Sequence, residues 1–460
     1  MTEQFEVIVI GMGPGGEEVA EQLAQAGMKV AGIDHNLVGG ECPYWGCIPS
    51  KAIIRAADAI AEARRIPGLA GSASVQPDWA PVAARLRDVI TDDWNDRVAV
   101  ERFEGKGGRF FRGTGRLVGP RTVAVGDQVL EASRAVVIGT GTSAAIPPIP
   151  GLADVEYWTN REVIEAERLP RSLLVMGGGA IGLEIAQAVA RFGVEVTVVE
   201  ALERVLAPEE PESSQLVAEV FGREGIRVLT GARVESVAGG AGAVQLNLGG
   251  GRRLEGERLL VATGRRANLR ELGLETVGLD ASARFLQVDE RLRAAPGIWG
   301  VGDVTGKGAF THVAVYQARI AIADIQDRET WPADYHALPR VTFTDPEVGA
   351  VGSTEAEARK QGLRVRAGFS PLSHSTRGFI HGPGADGFIK LVEDAERGVL
   401  VGGTTVGPSG GEMLSMLTVA VSAEVPTDQL RSMIYAYPTF HRGIEGALQA
   451  LAEPVLQPTG

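Results

Sequence analysis

Cysteine is almost missing from this 460-residue chain: there are two, Cys42 and Cys47. So few cannot staple a fold together, and a pair this close invites a catalytic or metal-binding reading instead. Long apolar runs are missing too. None approaches the ~18 residues that a membrane span needs, so no membrane is expected. Positive charge is in deficit, with a formal net charge of −13. That balance argues against nucleic acid or an anionic membrane surface as the main partner. No secretory leader is visible, because the strand-like run Phe5–Ile10 begins almost at once, and a cytoplasmic protein is expected. The remaining composition, 44% hydrophobic and 22% charged, is that of a globular chain long enough for about two to four domains.

What is present is one unit written twice. Phe5–Ile10 leads into Gly11-Met12-Gly13-Pro14-Gly15-Gly16, an Ala-rich helical stretch to Gly27, and a strand from Met28 to Ile33 closing at Asp34. Ser172–Met176 leads into Gly177-Gly178-Gly179-Ala180-Ile181-Gly182, a helix to Phe192, and a strand from Val194 to Val199 closing at Glu200. First glycine and acid are 23 positions apart in both copies. The first glycine (Gly11, Gly177) makes a tight turn. The second (Gly13, Gly179) lets backbone approach a pyrophosphate, and the third (Gly16, Gly182) lets helix pack on strand. The helix N-terminus offers unpaired N–H groups to phosphate. The acid accepts hydrogen bonds from a ribose diol, and a carboxylate at Glu200 favours NADH over NADPH, a preference that nearby Arg204 would soften. Two purely structural turns are the alternative, weakened by the full strand–loop–helix context of each copy.

Further short strands follow. Arg134–Ile138 runs into Gly139-Thr140-Gly141-Thr142, Arg258–Ala262 into Thr263-Gly264-Arg265-Arg266, and Ile298–Val301 into Gly302-Asp303. After Leu338-Pro339 the texture changes to alternating strands (Val341–Thr344, Gly387–Val392, Leu400–Thr405) and helices, which reads as a separate α+β domain.

With Gly39-Gly40-Glu41-Cys42-Pro43-Tyr44-Trp45-Gly46-Cys47-Ile48-Pro49-Ser50-Lys51, Gly302-Asp303, Phe343 through Gly349 and Gly407-Pro408 through Glu412, the sequence resembles the class I pyridine nucleotide–disulfide oxidoreductases. That family includes dihydrolipoamide dehydrogenase, glutathione reductase and mercuric reductase. The resemblance implies an α/β fold with two Rossmann-like dinucleotide-binding domains and a C-terminal α+β dimerisation domain. It implies FAD bound by residues 1–148 and 270–338, NAD(H) by 149–269, and a homodimer formed through 339–460. Cys42 and Cys47 would form a redox-active disulfide, with Cys47 facing the flavin and Cys42 attacking the substrate. Lys51 would sit at the flavin and pair with Glu184; ordinary helix-surface charges are the alternative. Asp303 would bind the ribityl chain and Gly115 the adenine side, with Gly40, Thr140 and Gly141 also at FAD, and Glu184 and Gly264 at NAD.

Five residues of regular helix rise ~7.5 Å, more than the ~6.8 Å that bridged Cα atoms tolerate. The chain between the cysteines is therefore expected to distort, and Pro43, Gly46 and Pro49 permit it. A thiol at a helix N-terminus is also a better thiolate.

Three departures stand out. Family members carry a His-Pro-Thr run with a Glu five residues after the His, a general base for thiols. Here Tyr437 stands in the histidine's place and Arg442 in the carboxylate's, leaving His441 or Tyr437 as substitutes. Tyr44 and Trp45 between the cysteines either line the substrate face or pack in the core. The end, Glu453–Gly460, lacks the cysteine pair of mercuric reductase. The expected function is an NADH-dependent flavoprotein reductase acting on a small-molecule acceptor. Dihydrolipoamide dehydrogenase is the first alternative and a slow redox-sensing flavoprotein the second.

Overall fold

The structure is a computed structural model that describes residues 2–240 and 242–452; the cysteine-free run Glu453–Gly460 lies outside them. The chain forms two compact units. One comprises Met1–Ser50, Ala83–Ala145 and Gly264–Asp334, the other Lys51–Val82, Ile146–Thr263 and Tyr335–Gly460.

The first unit is built on a sheet in the order Arg293–Ala295, Ile298–Gly300, Gln128–Ile138, Thr2–Ile10, Val30–Asp34, Arg109–Arg112. Its centre is parallel: Ile10 is in register with Ile33 on one side and Ile138 on the other. Because side chains alternate across a strand, Val7 and Val9 enter one core with Val19, Leu23 and Phe103. Ile8 and Ile10 enter another with Leu117 and Leu130. A strand covered on both faces must be apolar throughout, which is why Val7–Ile10 has no polar member. The helix Pro14–Gln25 starts at a proline that costs no hydrogen bond there and buries Val19, Ala20, Leu23 and Ala24.

The second unit holds a four-stranded parallel sheet in the order Arg227–Leu229, Glu195–Val199, Ser172–Met176, Arg258–Val261. The helix Ala180–Arg191 packs on it through Leu183, Ala186 and Val189. Its C-terminal part is a five-stranded antiparallel sheet, Pro339–Thr342, Glu347–Gly352, Val399–Gly407, Phe388–Asp394, Val365–Pro371. Helices Gly410–Ser422 and Gly443–Ala452 cover it, burying Leu414, Leu417, Ile444 and Leu448. No described helix is long and apolar enough to cross a membrane.

Candidate functional site

Both glycine loops show the same division of labour. A Cβ on Gly11 would lie 2.5 Å from the Gly139 oxygen, and one on Gly177 would lie 2.3 Å from the Ala262 oxygen. Both residues have positive φ, +93° and +114°. A Cβ on Gly16 or Gly182 would strike the carbonyl of its own first glycine, at 1.9 and 2.3 Å. A Cβ on Gly13 or Gly179 meets nothing within 4 Å. The middle glycine of each loop therefore borders open space and not the protein's own packing, which leaves room for a pyrophosphate to approach the backbone.

The two acids repeat the correspondence. Asp34 accepts from the N–H of Met12 and of Asn36, both at 2.7 Å. Glu200 accepts from Gly178 N at 2.6 Å and Leu202 N at 2.7 Å. Each carboxylate thus orders its loop and keeps lone pairs for a diol. Arg204 is spent on its own turn: it donates to the carbonyls of Ala207 and Glu209 and to Ser214 Oγ at 2.6, 2.7 and 2.8 Å.

Around the first loop, Gly39 N donates to the Met12 carbonyl at 2.7 Å, and a Cβ on Gly40 would lie 2.8 Å from the Gly13 Cα. Gly115 packs against Ile10 and Ile33. Thr140 and Gly141 are tied to Asn268, whose side-chain amide donates to the Thr140 carbonyl at 2.9 Å. Asp303 accepts from Thr142 Oγ1 at 2.9 Å, and burial raises its pKa above the ordinary aspartate value. Arg265 donates to Thr142 and to Glu41 Oε2 at 2.7 and 2.9 Å. Gly264, beside it, accepts from Ala145 N at 2.9 Å within the first unit.

The chain between the cysteines breaks. A short helix, Glu41–Tyr44, stops at Trp45 (φ −137°), and a new 19-residue helix, Cys47–Arg65, starts at the second cysteine. Pro43 and Pro49 both fall in first turns, where a missing N–H costs nothing. Cys42 and Cys47 are not joined by a disulfide in this structure. Cys47 Sγ lies 3.3 Å from Thr311 Oγ1. The Cys42 thiol is pushed far above its ordinary pKa, chiefly by its hydrogen bond to Cys47 and then by burial. Tyr44 and Trp45 are each 7% exposed, with rings 5.9 Å apart, and so belong to the core.

In the second unit Lys51 Nζ lies 2.8 Å from Glu184 Oε2 and 4.6 Å above the Phe343 ring. Glu184 also accepts from Phe343 N at 2.8 Å. Three and seven residues further along the same helix face, Gln187 exchanges two hydrogen bonds with the Asp345 backbone (2.7 and 2.8 Å), and Arg191 binds the Asp345 carboxylate at 2.7 Å. Sequence reasoning missed Gln187, Arg191, Thr311 and Arg265. The signal for the first two was polar residues at helical spacing from Glu184 on an otherwise apolar helix.

Residues 5–318 match the model of the pyridine nucleotide-disulphide oxidoreductases, and residues 338–448 match that family's dimerisation domain. The chain belongs to this family. A dihydrolipoyl dehydrogenase of Thermus scotoductus is 34% identical over 456 residues, covering 97% of each chain. A mercuric reductase of Bacillus cereus is 32% identical over 451 residues, covering 96% of this chain and 71% of that one. Among solved structures, LpdA from Mycobacterium tuberculosis superposes with a TM-score of 0.85 at 28% identity, over 98% of this chain and all of the other. The chain is accordingly an FAD-dependent flavoprotein oxidoreductase using NAD(H), with a mixed α/β fold and a C-terminal dimerisation domain. The two cradles and their carboxylates fit those dinucleotides.

In this oxidoreductase the tail departs from the family's base. Tyr437 is 62% exposed, its hydroxyl 3.4 Å from Thr376 Oγ1, and the Arg442 guanidinium lies 4.9 Å over its ring. Arg442 pairs with Glu445 at 2.9 Å, and the His441 ring lies 6.3 Å from that of Tyr435. Among the described residues no cluster of three His, Cys, Asp or Glu is arranged to hold a metal.

Proposed function

We propose that Cys42 and Cys47 are the exchanging dithiol–disulfide of a reductase that draws on NADH and delivers electrons to a small-molecule acceptor. The observation that carries this is the break at Trp45–Gly46, which sets Cys47 at the head of a long helix and in hydrogen-bond contact with Cys42. The helix dipole favours negative charge on a sulfur placed there. Bound dinucleotides supply hydride donation and acceptance. The chain's part is to hold them: Gly11, Gly13, Gly16 and Asp34 for FAD, with Gly40, Gly115, Thr140, Gly141, Lys51 and Asp303 around it. Gly177, Gly179, Gly182, Glu200 and Gly264 serve NAD(H). FAD is assigned to 1–148 and 270–338 and NAD(H) to 149–269. Glu184 fixes the ammonium of Lys51 in place.

The dimerisation domain supports a homodimer. The cytoplasm, where reduced nicotinamide is regenerated, is the proposed location.

Anaerobic reduction with NADH tests the reading. It should raise the count of alkylatable thiols from none to two per chain in wild type and leave it at one, before and after reduction, in Cys42→Ser. Flavin reduction with no change in thiol count would refute it.

A second reading, dihydrolipoamide dehydrogenase, is favoured by the 34% identity to the Thermus scotoductus enzyme. Against it stand Tyr437 and Arg442 in place of the family's His and Glu. Robust turnover of dihydrolipoamide with NAD near neutral pH would establish this reading over the first; failure, with intact NADH-dependent flavin reduction, would remove it.

A further inference from the structure

The short helix Glu41–Tyr44 ends after one turn, so its last carbonyls have no helical partner. The Tyr44 carbonyl, midway between the cysteines, instead accepts from the indole N–H of Trp94 at 3.2 Å. Trp94 reaches it from an unusual backbone. Asp92, Asp93 and Trp94 are three consecutive non-glycine residues with φ of +49°, +54° and +53°. Asp tolerates the left-handed region, but a bulky tryptophan there is a true outlier and needs surrounding structure to hold it. That structure is present. Asp93 N donates to the Arg87 carbonyl at 2.7 Å, Thr91 Oγ1 to the Leu86 carbonyl at 2.9 Å, and Asn95 N to the Thr91 carbonyl at 3.2 Å.

The same segment grips the loop at two further points. Asp96 Oδ2 accepts from Val38 N at 2.7 Å, just ahead of Gly39-Gly40, and the Tyr44 hydroxyl contacts the Asn95 carbonyl at 3.5 Å. Residues 91–96 therefore clamp the thiol loop before Cys42 and between Cys42 and Cys47.

We propose that Trp94 is a positioning residue for the thiol pair, its indole N–H fixing where the chain breaks between Cys42 and Cys47 and hence how the two sulfurs face each other. The proposal rests on the reading of that pair as an exchanging dithiol–disulfide. A pinned loop raises the effective concentration of one sulfur at the other and so favours the disulfide. Removing the pin moves the equilibrium toward the dithiol. In that shift two electrons and two protons pass from the thiols of an added dithiol reagent to the protein's disulfide, the reagent's S–S bond forming as the protein's breaks.

The test is the equilibrium of the flavin-loaded protein with oxidised and reduced dithiothreitol, in wild type and in Trp94→Phe, which keeps an aromatic ring and loses the N–H. The expected change is about tenfold toward the dithiol, or about 30 mV for a two-electron couple. Cys42 should also be alkylated faster at pH 8 in the reduced variant, because a loosened thiol–thiol contact holds its proton less firmly. Flavin content and melting temperature serve as folding controls. If Trp94→Phe loses flavin, benzothienylalanine at position 94, with sulfur in place of the N–H and the same ring shape, decides in its stead. An equilibrium within about twofold of wild type overturns the proposal. A wild type that forms no disulfide in oxidised buffer overturns the redox reading itself, and the proposal with it.

Discussion

Replacing Arg191 by methionine should be among the most damaging single changes in the second unit. Its side chain is 3% exposed and forks to three carboxylates: Asp58 at 2.6 Å, Glu224 at 2.7 Å and Asp345 at 2.7 Å. Methionine fills most of the volume and leaves three acids without their shared cation. Breaking a buried charge cluster from one side costs about 3–5 kcal/mol. The acids keep some water (38%, 23% and 15% exposed), so the low end applies. At roughly 2–4 °C per kcal/mol, a loss near 3 kcal/mol lowers the melting temperature by about 6–12 °C. Arg191→Lys keeps the charge without the fork and should lose roughly half of that. The deficit also depends on pH. Burial raises the Asp58 pKa to about 6, and Arg191 is the largest influence pulling it back down. A raised carboxyl contributes stability below its unfolded value of 3.8 and loses that contribution as pH rises through about 6. Without Arg191 its pKa climbs further, so the ionised form at pH 8 is the more strained. Calorimetry of the flavin-loaded protein at pH 5 and pH 8 should therefore show a larger deficit at pH 8. A loss under about 2 °C, or equal deficits at both pH values, would refute the argument.

Gly179→Ala should leave melting temperature and flavin content alone and raise the KM for NADH about tenfold or more, because its new methyl meets only the ligand's space. Gly177→Ala, which drives a methyl to 2.3 Å from the Ala262 oxygen at φ +114°, should instead unfold the loop and lower the yield of folded protein. Glu200→Gln should narrow the kinetic preference for NADH over NADPH by about tenfold, on the order of the Coulomb repulsion removed from a 2′-phosphate; unchanged kcat/KM ratios would count against a role at the ribose. Glu184→Gln swaps an acceptor facing Lys51 for a donor while keeping one for Phe343 N. It should cost about 1.5–3 kcal/mol, read as a lower melting temperature with flavin still bound.

Part of the fold could be read from the chain because local rules specify it. Strand, glycine loop, helix and acid follow in order in both dinucleotide units, and the observed elements, Thr2–Ile10 through Asp34 and Ser172–Met176 through Val199, differ from the expected ones only at their ends. In the C-terminal domain three strands were legible and two were not. Glu347–Gly352 carries two glycines and no alternation, and Val365–Pro371 ends in proline, so neither shows the strand period. Both are strands because neighbours in the antiparallel sheet supply their hydrogen bonds, which no local window contains.

The site divides along the same line. Gly11, Gly13, Gly16 and their counterparts announce themselves because backbone geometry alone dictates the residue type. The side chains that hold the site together do not. Thr311 meets Cys47 across 264 positions, Gln187 meets Asp345 across 158, and Arg265 meets Thr142 across 123. Each is an ordinary polar residue whose role exists only once the sheets have closed. Trp94 shows how such a role could nevertheless be sought. Asp92, Asp93 and Asn95 mark a turn around Trp94, but the tryptophan itself does not favour the left-handed region in which that turn sets it. The turn's own hydrogen bonds hold Trp94 against its preference, and the indole so placed reaches the carbonyl between the two thiols.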